Sequence, residues 1–447
     1  YLNVLSMTIT SYSTLGFVVL LTVTLVHPLP SVSFLLQCRH PFPFPWLHEP
    51  WDPSPGFTTH IALGELRHHS VSYQSEALFA SKEHTSTASA DHEQLHRVQS
   101  ANYGFSVSRQ DVNQFGNLAR IDSIILEAPT VNFDVTYYPT NGFNEKVLDF
   151  FVRDANTPES VSGQFASGHL AAGSGQNFYI LTTPEGRDAN LNRQAGVTDN
   201  SVIGIGNAFL TDYTLDLSVG SLPTATVSFE ASNIIADTAV SGSSNTFSGI
   251  NSPGVNPELG ESLGFEIQIP HASGNAGSTD ADLVSALRPG DIKIDISSFQ
   301  GETLSNLLGT DGVHLQSANL SIPLSRSPIE RLGSKFPFAR VVDFPVNATL
   351  SVNAIVNTVE AKNLANVISG CGETNRRDVK LTLEECGADK TGMEFLLKGC
   401  TVDSESFSSS IGSNKSVDIT FSTQIGGTRD ANNGIFVSGS NTTVPYA

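Results

Sequence analysis

Residues 98–117, VQSANYGFSVSRQDVNQFGN, align with residues 315–334, LQSANLSIPLSRSPIERLGS, at an offset of 217. Any fold for this chain must accommodate that internal repeat. Seven of the twenty positions are identical: Gln99, Ser100, Ala101, Asn102, Ser108, Arg109 and Gly116 recur as Gln316, Ser317, Ala318, Asn319, Ser325, Arg326 and Gly333. Between the identities, Tyr103, Phe105 and Val107 stand opposite Leu320, Ile322 and Leu324, and their period of two marks a half-buried strand. The same offset carries the alternating Val131, Phe133 and Val135 onto Ala348, Leu350 and Val352. It then carries a helical pattern, Val147, Phe150 and Phe151 in TNGFNEKVLDFFVR, onto Leu364, Val367 and Ile368. Thr140 or Asn141 is placed to cap the first of these helices, with Glu145 in its opening turn.

A second block repeats at the shorter offset of 192, TDYTLDLSVGSLPTATVSF (211–229) against DSESFSSSIGSNKSVDITF (403–421). Ser218, Gly220, Ser221 and Phe229 return as Ser410, Gly412, Ser413 and Phe421, and each block reads as a β-hairpin. Two matches in one order at different offsets point to tandem copies of one domain, the second with a shorter middle. The copies are expected at 71–270 and 271–430, followed by a C-terminal tail, 431–447. The Gly/Ser/Asn-rich stretch 232–262 reads as a flexible or protruding loop, whereas LGFEIQIPHA and ALRPGDIKIDI alternate like strands, with a turn at Arg288-Pro289-Gly290-Asp291. Abundant Gly, Ser, Thr, Asn and Val fit short strands joined by tight turns, and 39% apolar with 15% charged residues excludes a disordered chain.

Residues 1–70 read differently. Through residue 64 they carry one basic residue, Arg39, and two acidic ones, Glu49 and Asp52, with both tryptophans, Trp46 and Trp51, in a Pro/His-rich run. The apolar stretch Leu15 to Val26 lacks a basic flank and is short for a membrane span, which needs about 20 residues. This leader is expected to lie outside the mature fold, with a genuine secretion signal as the other reading.

The net charge of −20, from 24 basic and 44 acidic residues, opposes binding to a phosphate backbone. It suits a surface past which DNA slides without sticking, and equally one that is merely soluble. Cys371, Cys386 and Cys400 are separated by fourteen and thirteen intervening residues, without the C-x-x-C pairs of a zinc site; with Cys38 they read as buried thiols, a disulfide being the other reading. The sequence holds no G-x-S-x-G, H-E-x-x-H, P-loop or G-x-G-x-x-G. Most histidines, His68 and His69 among them, fall in the leader or just after it, where a solvated arm is expected rather than a metal site. The glycine-rich GHLAAGSGQ (168–176) lacks the Lys and Ser/Thr of a phosphate loop and reads as a flexible loop. Glu384 and Glu385 would point to opposite faces of a strand, and the triplets at Asn319, Asn347, Asn414 and Asn441 need no glycan to explain them. No catalytic, cofactor-binding or metal-binding residue is assigned, and no enzyme activity or cofactor is expected.

The segments QSANYGFSVSRQDVNQFGN, APTVNFDVTYYPTNGFNE and NAFLTDYTLDLSVGSLPTATVSFEASNI resemble tail tube (major tail) proteins of long-tailed bacteriophages. The third is the most telling: a strand ending in a "vGslPta" turn leads into "vsfe-N", matched here by Val219 to Asn233. ALRPGDI at 286–292 is similar to the same group, and the resemblance covers about 71–430. It implies a mainly β fold, a tandem duplication of a tail-tube-like β-sandwich or half-barrel domain with a flanking helix in each copy. It further implies self-association into trimeric, pseudo-hexameric rings that stack into tubes around a DNA-conducting channel. Other tail proteins (tape measure, baseplate, terminator) would be partners in the virion, assembled in the host cytoplasm, with no membrane and no sequence-specific DNA contact. The competing expectation is a secreted or surface-exposed β-rich adhesin, supported by the apolar leader and the acidity.

Overall fold

The computed structural model describes residues 75–440 apart from 82–87, 89–90, 155–162, 172–174, 185–188, 190–196, 243–245, 257–259, 271–286, 297–312, 338, 357–375, 385–390, 413 and 429. Before residue 75 it describes only β1 (Ser6–Thr8) and β2 (Thr22–Thr24), which pair antiparallel. The chain divides into two units, Tyr1–His69 and Ser70–Ala447, and every other described element belongs to the second.

The first half of that second unit contains β3 (Ser75–Ser81), β4 (His92–Gln94), β5 (Val98–Ser106), β6 (Arg109–Val112), β7 (Asp122–Ile125), β8 (Thr130–Tyr137), helix α1 (Phe143–Val147) and β9 (Val152–Asp154). Helix α2 (Ser167–Ala171) precedes β10 (Gln176–Thr183), β11 (Val197–Ser218), β12 (Thr224–Ala231) and β13 (Asn233–Gly242). Then come β14 (Thr246–Asn251), β15 (Val255–Asn256), β16 (Glu261–Ser262) and β17 (Glu266–Pro270). A 3-10 turn at Pro289–Asp291 leads into β18 (Ile292–Ile296), β19 (Val313–Pro323), β20 (Arg326–Ile329), β21 (Ala339–Val342) and β22 (Val346–Val356). The last strands are β23 (Arg377–Glu384), β24 (Thr391–Ser408), β25 (Ser416–Ile425) and β26 (Gly434–Gly439).

The protein is therefore mainly β. Eight antiparallel strands form its broadest layer, in the order β5–β8–β12–β11–β19–β22–β25–β24. The first half adds a layer β4–β3–β10–β11–β13–β14–β17, and the second adds β18–β23–β24–β26–β9, whose last pairing is parallel. Alternation makes the layers adhere. In β8, Val131, Phe133, Val135 and Tyr137 are buried while the residues between them are not, and β12 does the same with Ala225, Val227, Phe229 and Ala231. Phe178 of β10 meets Phe133 and Phe229 at 4.9 and 4.7 Å between ring centroids, closing the sandwich in the first half. In the second half Leu350, Val352, Ile419 and Phe421 share a core with Val379, Leu381, Phe395 and Leu397. Each such side chain contributes about 1.5–3 kcal/mol on burial.

Two strands run through both layers. β11, 22 residues long, and β24, 18 residues long, each begin in a smaller layer and end in the broad one. The passage is marked at Asn207 (φ 52°) and Gly399 (φ 67°), and three residues later by a register break between Leu210 and Asp212 or between Val402 and Ser404. Asn tolerates the left-handed region, and here its side chain is used: Asn207 Oδ1 accepts from Val255 N at 2.7 Å. At Gly399 a Cβ would stand 2.5 Å from Asn433 Oδ1, so glycine is required for space as well as for φ.

The halves are not separate bodies, since one cluster of buried side chains includes residues of both. Phe165 lies 6.0 Å from Phe395, and Gln164 Nε2 donates to Asn433 O at 2.8 Å.

Four expectations need correction. The segment expected as a tail, 431–447, contributes β26, which pairs with β24 and buries Ile435 and Val437. The helix expected over 140–153 is one short turn-and-a-half, Phe143–Val147: its cap is Gly142, without a side-chain cap bond, and Asp149 at φ 65° turns the chain towards β9. Phe150 is buried as expected, but beyond the helix; Leu364, Val367 and Ile368 lie outside the described residues. The loop expected at 232–262 is largely strand, because Val240, Phe247 and Ile250 join Ile267, Ile269, Phe79, Tyr179 and Leu181 in a second, smaller core. The loop expected at 168–176 begins within helix α2, where His169 is buried.

Gly399→Ala is expected to destabilise the protein by about 1–3 kcal/mol through its left-handed φ and the contact with Asn433. Gly427→Ala, where a Cβ meets open space, is expected to change urea unfolding by less than about 0.5 kcal/mol.

Candidate assembly surface

The outward face of the broad layer is polar, and the sequence makes it so by the same alternation that fills the core. Core residues Tyr213, Leu215 and Leu217 of β11 leave Asp212, Thr214, Asp216 and Ser218 on the other side; β19 leaves Ser317, Asn319 and Ser321. β25 leaves Ser416, Asp418 and Thr420. No Lys or Arg occurs in 98–106, 130–137, 209–218, 224–231, 313–323, 346–356, 401–408 or 416–425, the segments that build this layer. Its carboxylates include Asp134, Asp212, Asp216, Glu230 and Asp418. Side-chain amides tie some of them across strands: Asn319 Nδ2 donates to Asp216 Oδ1, and Asn353 Nδ2 donates to Asp418 Oδ1. Burial raises the Asp212 carboxyl above its ordinary value, opposed by the Thr214 hydroxyl donating to Oδ2 at 2.9 Å.

The layer ends in two open edges. Among the described residues β5 pairs only with β8, and residues 401–408 of β24 pair only with β25. The residues facing inward on these edges are incompletely covered: Tyr103 is 45% exposed, Phe105 68% and Phe407 48%. At the junction of β11 with β19, the residues at matching offsets are sealed, with Leu320 at 1%, Ile322 at 0% and Leu215 at 0%. Exposed apolar edge strands promote association with further strands.

Two hairpin arms continue strands of this layer, β6–β7 from β5 and β8 at an open edge and β20–β21 from β19 and β22 at the internal junction, in one register: Arg109↔Ile125 in the first matches Arg326↔Val342 in the second. The turns of both carry a glycine at positive φ, Gly116 (96°) and Gly333 (88°), and both tips are exposed, at Phe115 and Leu332. Arg340 on β21 is buried in an ion pair with Glu230, over the ring of Phe209 at 5.6 Å.

Elsewhere the chemistry is structural. A shallow cleft holds Arg153, Glu394, Lys398 and Ser438, but Glu394 is already paired with Lys380 at 2.8 Å and the lining includes no histidine. Glu384 pairs with Lys293 at 2.6 Å; Glu385 lies outside the described residues. Among the described residues no group of His, Cys, Asp and Glu could hold a metal, and no helix is long and apolar enough to cross a membrane. His92 and His96 belong to the fold rather than to a solvated arm, and burial lowers both below the ordinary imidazole value, His96 to about 4. Cys400 is a free, buried thiol pushed up to about 12 by burial; the other cysteines, with His68 and His69, lie outside the described residues.

Inside the first half, Glu145 is fully buried and accepts from Tyr137 OH at 2.9 Å. Burial raises its carboxyl to about 7, outweighing the hydrogen bonds that favour the anion. Compared with known proteins, the sequence matches no family model and no curated protein.

A raised carboxyl pKa stabilises the fold fully below the ordinary carboxylate value, and that stability is lost as pH rises towards about 7. Glu145→Gln, which keeps an acceptor for Tyr137, is therefore expected to raise the melting temperature at pH 8, by the equivalent of about 2–3 kcal/mol at most. At pH 4 the variant and the parent should melt together, as followed by circular dichroism.

Proposed function

We propose that this chain is a tail tube subunit of a long-tailed bacteriophage, a virion protein that polymerises edge to edge into stacked rings around a channel for DNA. The observation that carries the reading is the junction of β11 with β19, which joins the end of one half to the start of the other as one ring member would join the next. Several correspondences support a tandem duplication. β6, β7 and β8 return as β20, β21 and part of β22 at offset 217, and the register break at Val98/Ser100 returns at Leu315/Ser317. At offset 192, Asn207 and Gly220, both at positive φ, return as Gly399 and Gly412.

If the halves are equivalent, the edge used by β19 inside the chain is offered to a neighbour by β5, and the edge used by β11 is offered by β24. Repeating the internal junction between chains then covers Tyr103, Phe105 and Phe407 and leaves no open edge in the ring. Three chains supply six copies and give a pseudo-sixfold ring, as the resemblance implies. The polar face, free of Lys and Arg along its strands, would line the channel. Carboxylates and hydroxyls there offer DNA phosphates no cation to hold, so passage is not arrested by ion pairing. The apolar tips at Phe115 and Leu332 are placed to meet the next ring or another tail protein.

Electron microscopy of the concentrated protein is expected to reveal hollow tubes with threefold, pseudo-sixfold rings; a ring of six whole chains would refute the threefold assignment. Phe105→Asp is expected to abolish tubes while leaving the melting temperature of the unassembled chain unchanged, because that side chain is 68% exposed before assembly. A chain that stays monomeric at all concentrations, with or without that substitution, would favour the adhesin instead.

A further inference from the structure

Arg326 and Arg109 are identical positions of the repeat, yet only one of them is engaged. The Arg326 guanidinium donates three hydrogen bonds to main-chain oxygens, Nε to Leu210 at 3.1 Å, Nη1 to Arg340 at 3.2 Å and Nη2 to His169 at 2.8 Å. Leu210 and His169 belong to the first half, so Arg326 fixes the β20–β21 arm of the second half onto the first. It also lies 5.4 Å from the centroid of the Phe209 ring. Arg109 opens the matching arm in the matching register, but it is exposed and its guanidinium has no hydrogen-bond or ion-pair partner among the described residues. Its cross-strand neighbour Ile125 is 48% exposed, whereas Val342, opposite Arg326, is 6% exposed.

We propose that Arg109 fastens the β6–β7 arm onto the second half of the next copy of this chain, as Arg326 fastens its own arm within the chain. The inference rests on the ring reading and goes further, by naming the contact. Leu210, the acceptor for Arg326 Nε, maps at offset 192 onto Val402, which sits at the same kind of register break and on the open part of β24. Arg109 Nε of one copy therefore donates to Val402 O of the next, and Ile125 becomes covered.

The joint between chains differs from the one within the chain. The positions of Arg340, Glu230 and Phe209 are held by Ser123, Ser422 and Thr401, so neither the ion pair nor the cation–ring contact has a counterpart. The arginine carries a larger share of this joint, which is correspondingly weaker than the internal one.

The test mixes two full-length variants, Ser123→Cys and Ser422→Cys, at assembly concentration with a short bismaleimide, using the unmodified chain as background control. A linked pair containing one of each variant can arise only between chains, and it is expected to form. Arg109→Ala should abolish that link and raise the critical concentration for assembly about tenfold, the loss of a charge-assisted hydrogen bond. The same substitution should leave the melting temperature of the unassembled chain unchanged, whereas Arg326→Ala lowers it. Tubes without the link, with Arg109→Ala assembling as the parent does, would overturn the latch and leave the ring reading standing. A chain that never assembles would overturn both.

Discussion

The pairing of β11 with β19 runs from Asp212↔Pro323 to Ser218↔Ser317, and the rest of the molecule is arranged around it. On its inner side Tyr213, Leu215 and Leu217 stand beside Ile322, Leu320 and Ala318, all buried; on its outer side Asp216 accepts from Asn319. Main-chain bonds, apolar packing and a polar cross-strand pair thus act in one short ladder. Without it the broad layer would break into two four-stranded pieces, each with edges on both sides. With it, eight strands share one surface and, among the described residues, only β5 and the end of β24 stay open.

That ladder can exist only because β11 leaves one layer and enters another. A strand that stayed flat could not pair with β10 and β13 near its start and with β12 and β19 near its end. The change of direction is local, a residue at positive φ followed four residues later by one left out of the register, and β24 repeats it at Gly399. Asn207 and Gly399 solve the same backbone problem with different chemistry, one by hydrogen bonding its side chain to Val255 and the other by having none.

Much of this architecture is legible in the sequence, because alternation and repeat offsets are properties of the chain itself. The strands around Phe105, Phe133, Leu320 and Leu350, and the hairpins after Gly220 and Gly412, lie where the pattern places them. Periodicity overestimates the helix after Thr140 because Val147 and Phe150 are both buried, at helical spacing, but on either side of the left-handed Asp149. Residues 232–262 resemble a loop because Gly and Ser dominate locally, while the few side chains that matter, Val240, Phe247 and Ile250, find their partners far away in β3 and β10. The open edges leave no trace in the sequence. Tyr103 and Phe105 share the period of Leu320 and Ile322, and periodicity does not reveal which strand has a neighbour.

Covalent linkage of the two halves also bears on kinetics. Strands β11 and β19 belong to one chain, so their meeting is a first-order event whose rate does not depend on how much protein is present. Any closed assembly that repeats this joint has half of its joints made during folding, leaving only the others to diffusion. Its formation is then of lower order in subunit concentration than that of an equal ring built from unlinked halves. Fewer partly closed arcs, each with exposed aromatic edges, would accumulate along the way.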